Sequence, residues 1–204
     1  MPRRFSRRST RRSRNSPVSP VDQVFIGVDI GTGSARAGVF TADGRMLGSA
    51  RQDIRIWREG ADIVEQSSDD ICDACAHAVC AAVAQAGVGA EAVGGLSFDA
   101  TCSLVLLDRD MRPVAAGASG DAARNIIVWM DHRATDQARA INATRDTVLD
   151  FVGGAISPEM QSPKLLWLKQ HLSPPTSPPR AASRDPIKDR WGRQASPGTV
   201  AGDQ

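Results

Sequence analysis

Residues 24–45 read VFIGVDIGTGSARAGVFTADGR, and this stretch decides the fold. An apolar run ends at Ile30, a polar turn follows through Ser34, and a second run rich in β-forming residues extends to Thr41. The pair Asp43-Gly44 then marks a hairpin between this run and a third one. The stretch therefore predicts three antiparallel strands joined by two tight turns.

The glycine-rich turn after the first strand has two interpretations. A dinucleotide-binding loop needs G-x-G-x-x-G followed by a helix, but Arg36 stands where the third glycine belongs and a hairpin follows. The sequence contains no G-x-x-x-x-G-K-[ST] loop either. The turn is therefore either a β-hairpin clasp for phosphate, with Arg36 neutralising charge, or an ordinary hairpin turn without a ligand.

The clasp interpretation has a physical basis in the residues of the turn. Gly31 and Gly33 permit tight backbone dihedrals and let amide N–H groups face outward toward an anion. Thr32 and Ser34 add hydroxyl donors. Asp29, at the end of the strand, suits Mg²⁺ held indirectly through water. On the clasp interpretation these residues would form a site for phosphate and magnesium, and the hairpin turn without a ligand remains the alternative.

Charge divides the chain into three parts. The first 22 residues hold seven arginines and one aspartate, and residues 173–204 hold five basic and three acidic residues. Removing both segments from the net charge of +2 leaves −6 for residues 23–172, which argues against a nucleic-acid-binding core. No apolar run approaches the roughly 20 residues of a membrane span, so no membrane association is expected.

The two terminal segments are predicted to be disordered, around one domain over residues 23–172. Residues 1–22 are rich in Arg, Ser and Pro, and residues 173–204 are rich in Pro without apolar periodicity. For residues 1–22 there are two alternatives, a mitochondrial targeting peptide and a start site placed too far upstream.

Cys72 and Cys75 form a C-x-x-C inside a helical pattern. This position favours two small helix residues in a reducing, cytoplasmic compartment over a zinc or redox site.

Local patterns predict the remaining elements. A helix begins after Ser67 or Ser68 and ends at Gly87, with small residues on its buried face. Residues 58–62 read as a loop, and strands are expected over residues 92–98, 103–108 and 126–129. Three shorter helices are expected: one capped by Asp131 and ending near Asn142, one over 145–151, and one over 164–171 with Pro163 as its first residue and Leu165, Leu168 and Leu172 buried.

Polar residues that follow the predicted strands are candidates for a ligand site. Asp99 and Thr101 stand at the end of the strand over 92–98, where ligands of α/β sheets collect, although Asp also commonly completes a turn. Asp131 and Arg133 follow the strand over 126–129 and suit the hydroxyls of a polyol, although helix capping by Asp131 is the simpler role.

Four motifs in this order resemble the FGGY carbohydrate kinases of the actin-like, ribonuclease H-like ATPase superfamily. D-x-G-T-x-S-x-R is matched from Asp29 to Arg36, and D-A-T-C-S begins at Asp99. W-x-D-x-R begins at Trp129, and S-x-E-x-x-x-P-K-L-L-W-L-K runs from Ser157 to Lys169. The resemblance covers residues 24–172 and implies an α/β fold with a mixed sheet and flanking helices.

The resemblance also implies an activity, which is phosphorylation of a pentulose by ATP and Mg²⁺. The hairpin would cradle the ATP phosphates, and D-ribulose is the substrate to which the second and third motifs point. The sugar wall would be formed by Asp99, Thr101, Cys102, Asp131, His132, Arg133 and Glu159. Lys164 would order this wall, although a surface ion pair with Glu159 is the alternative from the residues alone. A homodimer is considered for intact relatives.

In the FGGY kinases the general base and the adenine-binding domain lie in the C-terminal half. The proline-rich residues 173–204 stand where the family continues, so we expect a truncated product with an altered reading frame or exon, and no turnover by this chain. Two other classes remain open at this point. One is a non-kinase actin-like ATPase, and the other is a non-catalytic fragment that acts by interaction.

Overall fold

The computed structural model describes residues 23–172 and 180–182. The disorder predicted for residues 1–22, and for the rest of the tail, lies outside these residues. The elements run in this order: β1 (Val24–Ile30), β2 (Ser34–Thr41), β3 (Met46–Asp53), β4 (Ile56–Glu59), β5 (Ile63–Gln66), α1 (Ser68–Ala86), a 3₁₀ turn (Ala90–Ala92), β6 (Val93–Ala100), β7 (Leu104–Leu107), β8 (Ile126–Ile127), α2 (Thr135–Ala143), a 3₁₀-helix (Thr147–Val152), α3 (Gln161–His171) and β9 (Arg180–Ala182).

The first sheet confirms the predicted meander. Its strand order is β3-β2-β1-β6, with β1 antiparallel to β2, β2 antiparallel to β3, and β6 parallel to β1. Strict alternation in β1 buries every second side chain, from Val24 to Ile30, against the core. The sheet is therefore mixed, as the sequence predicts, and it buries one face.

Helix α1 packs on this buried face and begins and ends where predicted. The Ser67 hydroxyl accepts a hydrogen bond from the backbone N–H of Asp70, and Gly87 ends the helix in the left-handed region at φ 66°. The small residues on the helix allow a close approach to β3. An added Cβ at Gly48 would lie 2.5 Å from the carbonyl oxygen of Ala82 and 2.7 Å from the backbone nitrogen of Ala86.

The second sheet has the order β4-β5-β8-β7-β9, and two of its features were not predicted. Residues 58–62 were expected to be a loop, but β4 and β5 form an antiparallel hairpin around Gly60, whose φ is 59°. Residues 180–182 lie in the tail predicted to be disordered, yet they pair with β7 as β9. Backbone pairing needs no periodic apolar pattern, so β9 could not be predicted from local sequence.

The last two α-helices differ from prediction at their N-termini. Helix α2 begins at Thr135 without a side-chain cap, so Asp131 does not cap it; its carboxylate accepts instead from the backbone N–H groups of Val64 and Arg133. Helix α3 begins at Gln161, so Pro163 is its third residue. Leu168 is buried as predicted, but Leu165 is exposed. Within the described residues, no helix is both long and apolar enough to cross a membrane.

Candidate active site

The turn between β1 and β2 lies beside a pair of exposed charges. The antiparallel register places Asp29 opposite Arg36, and their carboxylate and guanidinium lie 3.1 Å apart with 57% of each side chain exposed. The backbone N–H of Gly31 donates to the carbonyl of Ser34 at 3.0 Å and closes the turn. Both charged side chains are therefore available to a ligand above the turn.

The two glycines of the turn differ in the space around them, and neither has an unusual backbone. Neither Gly31 nor Gly33 has a positive φ, which corrects the expectation that they supply special dihedrals. An added Cβ at Gly31 would lie 2.9 Å from Nη2 of Arg36, whereas one at Gly33 would meet no atom within 4 Å. Gly33 therefore faces open space, where a ligand has room to approach the backbone.

The two hydroxyls of the turn differ in their surroundings. The Ser34 residue is only 6% exposed, so its hydroxyl is not open to a ligand as the expected donor would be. Thr32 is half-buried, and its Oγ1 accepts a hydrogen bond of 3.0 Å from Nε1 of Trp129. Its backbone carbonyl accepts a bond of 2.6 Å from Nε2 of Gln66. Neither of these two donors was predicted from the sequence.

The second motif lies beside the turn. In the parallel pairing of β1 and β6, Asp99 is the register partner of Asp29, and the N–H of Thr101 donates to the carbonyl of Ile30 at 3.2 Å. Asp99, Thr101 and Cys102 are all exposed. Two exposed carboxylates on neighbouring strands, with oxygen donors that Mg²⁺ prefers, therefore stand next to the glycine-rich turn.

The third motif contributes a buried network. Asp131 is fully buried, and its carboxylate accepts from the backbone N–H of Val64 at 2.7 Å and from Nε and Nη2 of Arg133. Arg133 also donates to Oε1 of Glu65 at 2.8 Å and to the carbonyl of Ala116. The geometry therefore favours a positioning role for Asp131 and Arg133. The expected direct contact of these two residues with a substrate stays a prediction.

Glu65 joins two arginines through its two carboxylate oxygens. Oε1 binds Arg133, and Oε2 accepts from Nε of Arg124 at 2.8 Å, while Glu65 itself is almost completely buried. Burial lowers the pKa of Arg133, but hydrogen bonds and charges from Asp131 and Glu65 outweigh burial and hold this pKa above its ordinary value. Glu65 was not predicted as a site residue, although a glutamate in a short apolar segment was the available signal.

The fourth motif supplies a buried lysine and an exposed pair. Nζ of Lys164 donates to the carbonyls of Val128, Trp129 and Glu159 at 2.8–3.0 Å. Burial lowers the pKa of Lys164 to about 8, against the opposing effect of nearby carboxylates. The carboxylate of Glu159 lies 3.1 Å from Nε2 of His132 instead. The alternative prediction of a surface ion pair between Glu159 and Lys164 is therefore wrong.

The four predicted segments thus converge on one region. The turn, the end of β6 and the Trp129 segment are joined by hydrogen bonds, and Lys164 fixes the Trp129 segment to the loop that carries Glu159. Outward-facing groups are the charges of Asp29 and Arg36 and the exposed residues Asp99, Thr101, Cys102, His132 and Glu159. This arrangement suits the recognition of an anion beside a polyhydroxylated ligand.

Comparisons with known proteins give the family. A model of the FGGY family of carbohydrate kinases, N-terminal domain, matches residues 24–176. An FGGY carbohydrate kinase domain-containing protein of Homo sapiens is 47% identical over 151 residues, which are 74% of this chain and 27% of the relative. A D-ribulokinase of Saccharomyces cerevisiae is 41% identical over 170 residues, 82% of this chain and 24% of the relative.

A solved structure supports the same fold. A Brucella ovis protein described as a "xyloylose kinase" superposes with a TM-score of 0.64 at 20% identity, over 81% of this chain and 34% of that one. This match confirms the predicted actin-like fold of the sugar kinases. The chain spans about a quarter of the length of the two curated relatives, at 27% and 24%. The chain belongs to the FGGY family of carbohydrate kinases.

Proposed function

We propose that this chain supplies the phosphate turn and part of the sugar wall of a kinase that phosphorylates a pentulose, D-ribulose in the first place, with ATP. The observation that carries the proposal is the register of β1 with its two neighbours, which aligns Asp29 with Arg36 on one side and Asp99 on the other. The 41% identity to a D-ribulokinase supports the choice of sugar.

Phosphoryl transfer depends mainly on positioning and on electrostatic stabilisation of the phosphate oxygens. In this proposal the amide of Gly33 and the Thr32 hydroxyl donate to phosphate oxygens, and Arg36 balances their charge. The amide of Gly31, which was expected to face the anion, is bound to the Ser34 carbonyl instead. Asp29 binds Mg²⁺ through water, a role that its exposed carboxylate fits. Ser34 shapes the turn through its backbone carbonyl, which accepts from Gly31.

The sugar wall separates into contacting and supporting residues. The exposed groups of Asp99, Thr101, Cys102, His132 and Glu159 face the pentulose hydroxyls. Asp131, Arg133 and Lys164 hold the wall from behind, because their polar atoms bind protein groups. The general base is proposed to lie outside residues 23–172, so we expect binding without turnover by the 204-residue chain. A cytoplasmic location and a homodimer stay predictions.

A glycine substitution at the open position of the turn tests the phosphate site. Gly33→Ala places a methyl group in open space and has no strained φ, so the stability should not change. The methyl would keep phosphate from the backbone, and we expect the affinity for Mg·ATP, measured by calorimetry, to fall about tenfold or more. Gly95→Ala is the matched control, since its Cβ would meet only ordinary contacts at 3.5 and 3.8 Å with Phe25.

The outcomes separate the proposal from its rivals. If the wild-type chain does not bind Mg·ATP, or if Gly33→Ala binds it equally well, the phosphate site is refuted. Binding of ATP without any binding of D-ribulose or D-xylulose would favour a non-kinase ATPase of the same fold. Release of ADP by the pure 204-residue chain, dependent on D-ribulose, would contradict the placement of the general base.

A further inference from the structure

Two donors from the second sheet converge on one residue of the phosphate turn. Nε2 of Gln66, at the end of β5, donates to the Thr32 carbonyl at 2.6 Å, and Gln66 is almost completely buried. Nε1 of Trp129, just after β8, donates to Oγ1 of Thr32 at 3.0 Å. The backbone and the hydroxyl of the same threonine are therefore both bound by side chains from outside the hairpin.

The turn needs such external bonds to keep one conformation. Thr32 stands between Gly31 and Gly33, and glycine restricts the backbone less than any other residue. Two backbone hydrogen bonds are described at the turn. The N–H of Gly31 donates to the Ser34 carbonyl, and the N–H of Ile54, just after β3, donates to the Gly33 carbonyl. Both involve the residues around Thr32 and leave its own peptide to be fixed by Gln66.

The chemistry of the two groups sets the direction of the Thr32 hydroxyl. An indole N–H only donates, whereas a hydroxyl both donates and accepts. Because Oγ1 of Thr32 accepts from Trp129, its own hydrogen is free to point away from the ring. A phosphate oxygen above the turn would be a suitable acceptor for that hydrogen, and such a charge-assisted bond is stronger than a neutral one.

We propose that Gln66 and Trp129 are positioning residues, which fix the phosphate turn and direct the Thr32 hydroxyl so that its hydrogen faces the ligand. The ligand half of this inference rests on the proposed function, and the fixing of the turn does not. Trp129 is also bound to the residues behind the sugar wall: its backbone N–H donates to Oγ of Ser103, and its backbone carbonyl accepts from Lys164. The same residue thus joins both parts of the site.

Amide hydrogen exchange in the ligand-free chain tests the fixing of the turn. Trp129→Phe keeps an aromatic ring, although a smaller one, and removes the N–H, and Gln66→Leu removes the donor to the Thr32 carbonyl. We expect the amides of Gly31 and Ile54 to exchange about tenfold faster in both variants, because each loses a bond that holds the turn. Trp57→Phe, in β4, is the matched control and should leave both rates unchanged. Unchanged rates in both test variants would overturn the inference.

A double-mutant cycle on Mg·ATP affinity tests the orientation of the hydroxyl. Thr32→Val removes the hydroxyl at similar volume, and Trp129→Phe alone should weaken binding about fivefold to tenfold. If the indole acts through the hydroxyl, Trp129→Phe adds little further loss in the Thr32→Val background, whereas a merely structural effect of the ring would add in full. Additive losses would therefore overturn this part of the inference.

The two measurements keep the inference apart from the proposed function. If exchange at Gly31 and Ile54 quickens as expected but the wild-type chain does not bind Mg·ATP, the proposed function fails and the fixing of the turn by Gln66 and Trp129 stands. If the wild-type chain binds Mg·ATP and Trp129→Phe binds it equally well with unchanged exchange, the proposed function stands and this inference fails.

Discussion

The buried carboxylate of Glu65 is the point at which a single substitution should cost the most. Glu65→Gln keeps the shape of the side chain but removes its charge and turns one oxygen into an NH₂ group. Only one of the two arginines that bind Glu65, Arg124 and Arg133, then keeps an acceptor oxygen, and the other faces the NH₂ donor. Each of the two lost or weakened contacts is a 2.8 Å ion pair between side chains that are at most about a tenth exposed.

The size of the effect follows from burial. Removing one partner of a buried ion pair typically costs about 3–5 kcal/mol, because an uncompensated charge stays in a poorly solvated place. Gln retains one acceptor, so we expect the free energy of unfolding to fall by about 3 kcal/mol. Domains of this size are stable by about 5–15 kcal/mol, so the variant should still fold at low temperature.

Urea unfolding monitored by circular dichroism measures this loss, and the chain offers a matched control. Glu59 pairs with the same Arg124, but 52% of its side chain is exposed. Glu59→Gln should therefore cost at most about 1 kcal/mol, as exposed pairs do. A loss for Glu65→Gln no larger than that for Glu59→Gln would show that the buried network does not stabilise the fold, and the reasoning would be wrong.

Two further substitutions test the packing and the buried lysine. Gly48→Ala should destabilise the chain by about 2 kcal/mol, read as a lower melting temperature, because the new methyl would strike the backbone of α1; an equal melting temperature to that of Gly95→Ala would contradict this. Between pH 8, the lowered pKa of Lys164, and pH 10.5, its ordinary value, the unfolded chain holds a proton that the folded chain has released. The stability contributed by this group therefore rises with pH across that window, by up to about 3 kcal/mol, and is lost as the pH falls through 8. In Lys164→Met, the free energy of unfolding from urea denaturation at a series of pH values should lack this rise. A rise equal to that of the wild-type chain would show that Lys164 is not its source.

The elements that sequence analysis predicted well are those with strong local signals. Strand β1 alternates buried and exposed residues from Val24 to Ile30, and such alternation needs no knowledge of the partner strand. The bounds of α1 follow from Ser67 and Gly87, whose capping roles depend on the backbone next to them. For the same reason the turn of Gly31 to Ser34 was placed correctly, since a hairpin is a local structure.

The parts that could not be predicted depend on residues far apart in the chain. Asp131 looks like a helix cap by its position, but Val64 and Arg133 bind its carboxylate, and Val64 lies 67 residues earlier. Glu65 is likewise 59 residues from Arg124 and 68 residues from Arg133. No spacing rule relates such residues, so the choice between capping and tertiary pairing required the fold.

Lys164 acts as a tethered cation within the protein. Its ammonium binds three backbone carbonyls, a set of ligands that in other proteins often surrounds a free monovalent or divalent ion. A free ion dissociates on dilution and is removed by a chelator, whereas a side chain stays at unit stoichiometry. The order of the Trp129 segment should therefore be insensitive to the ionic composition of the surrounding medium.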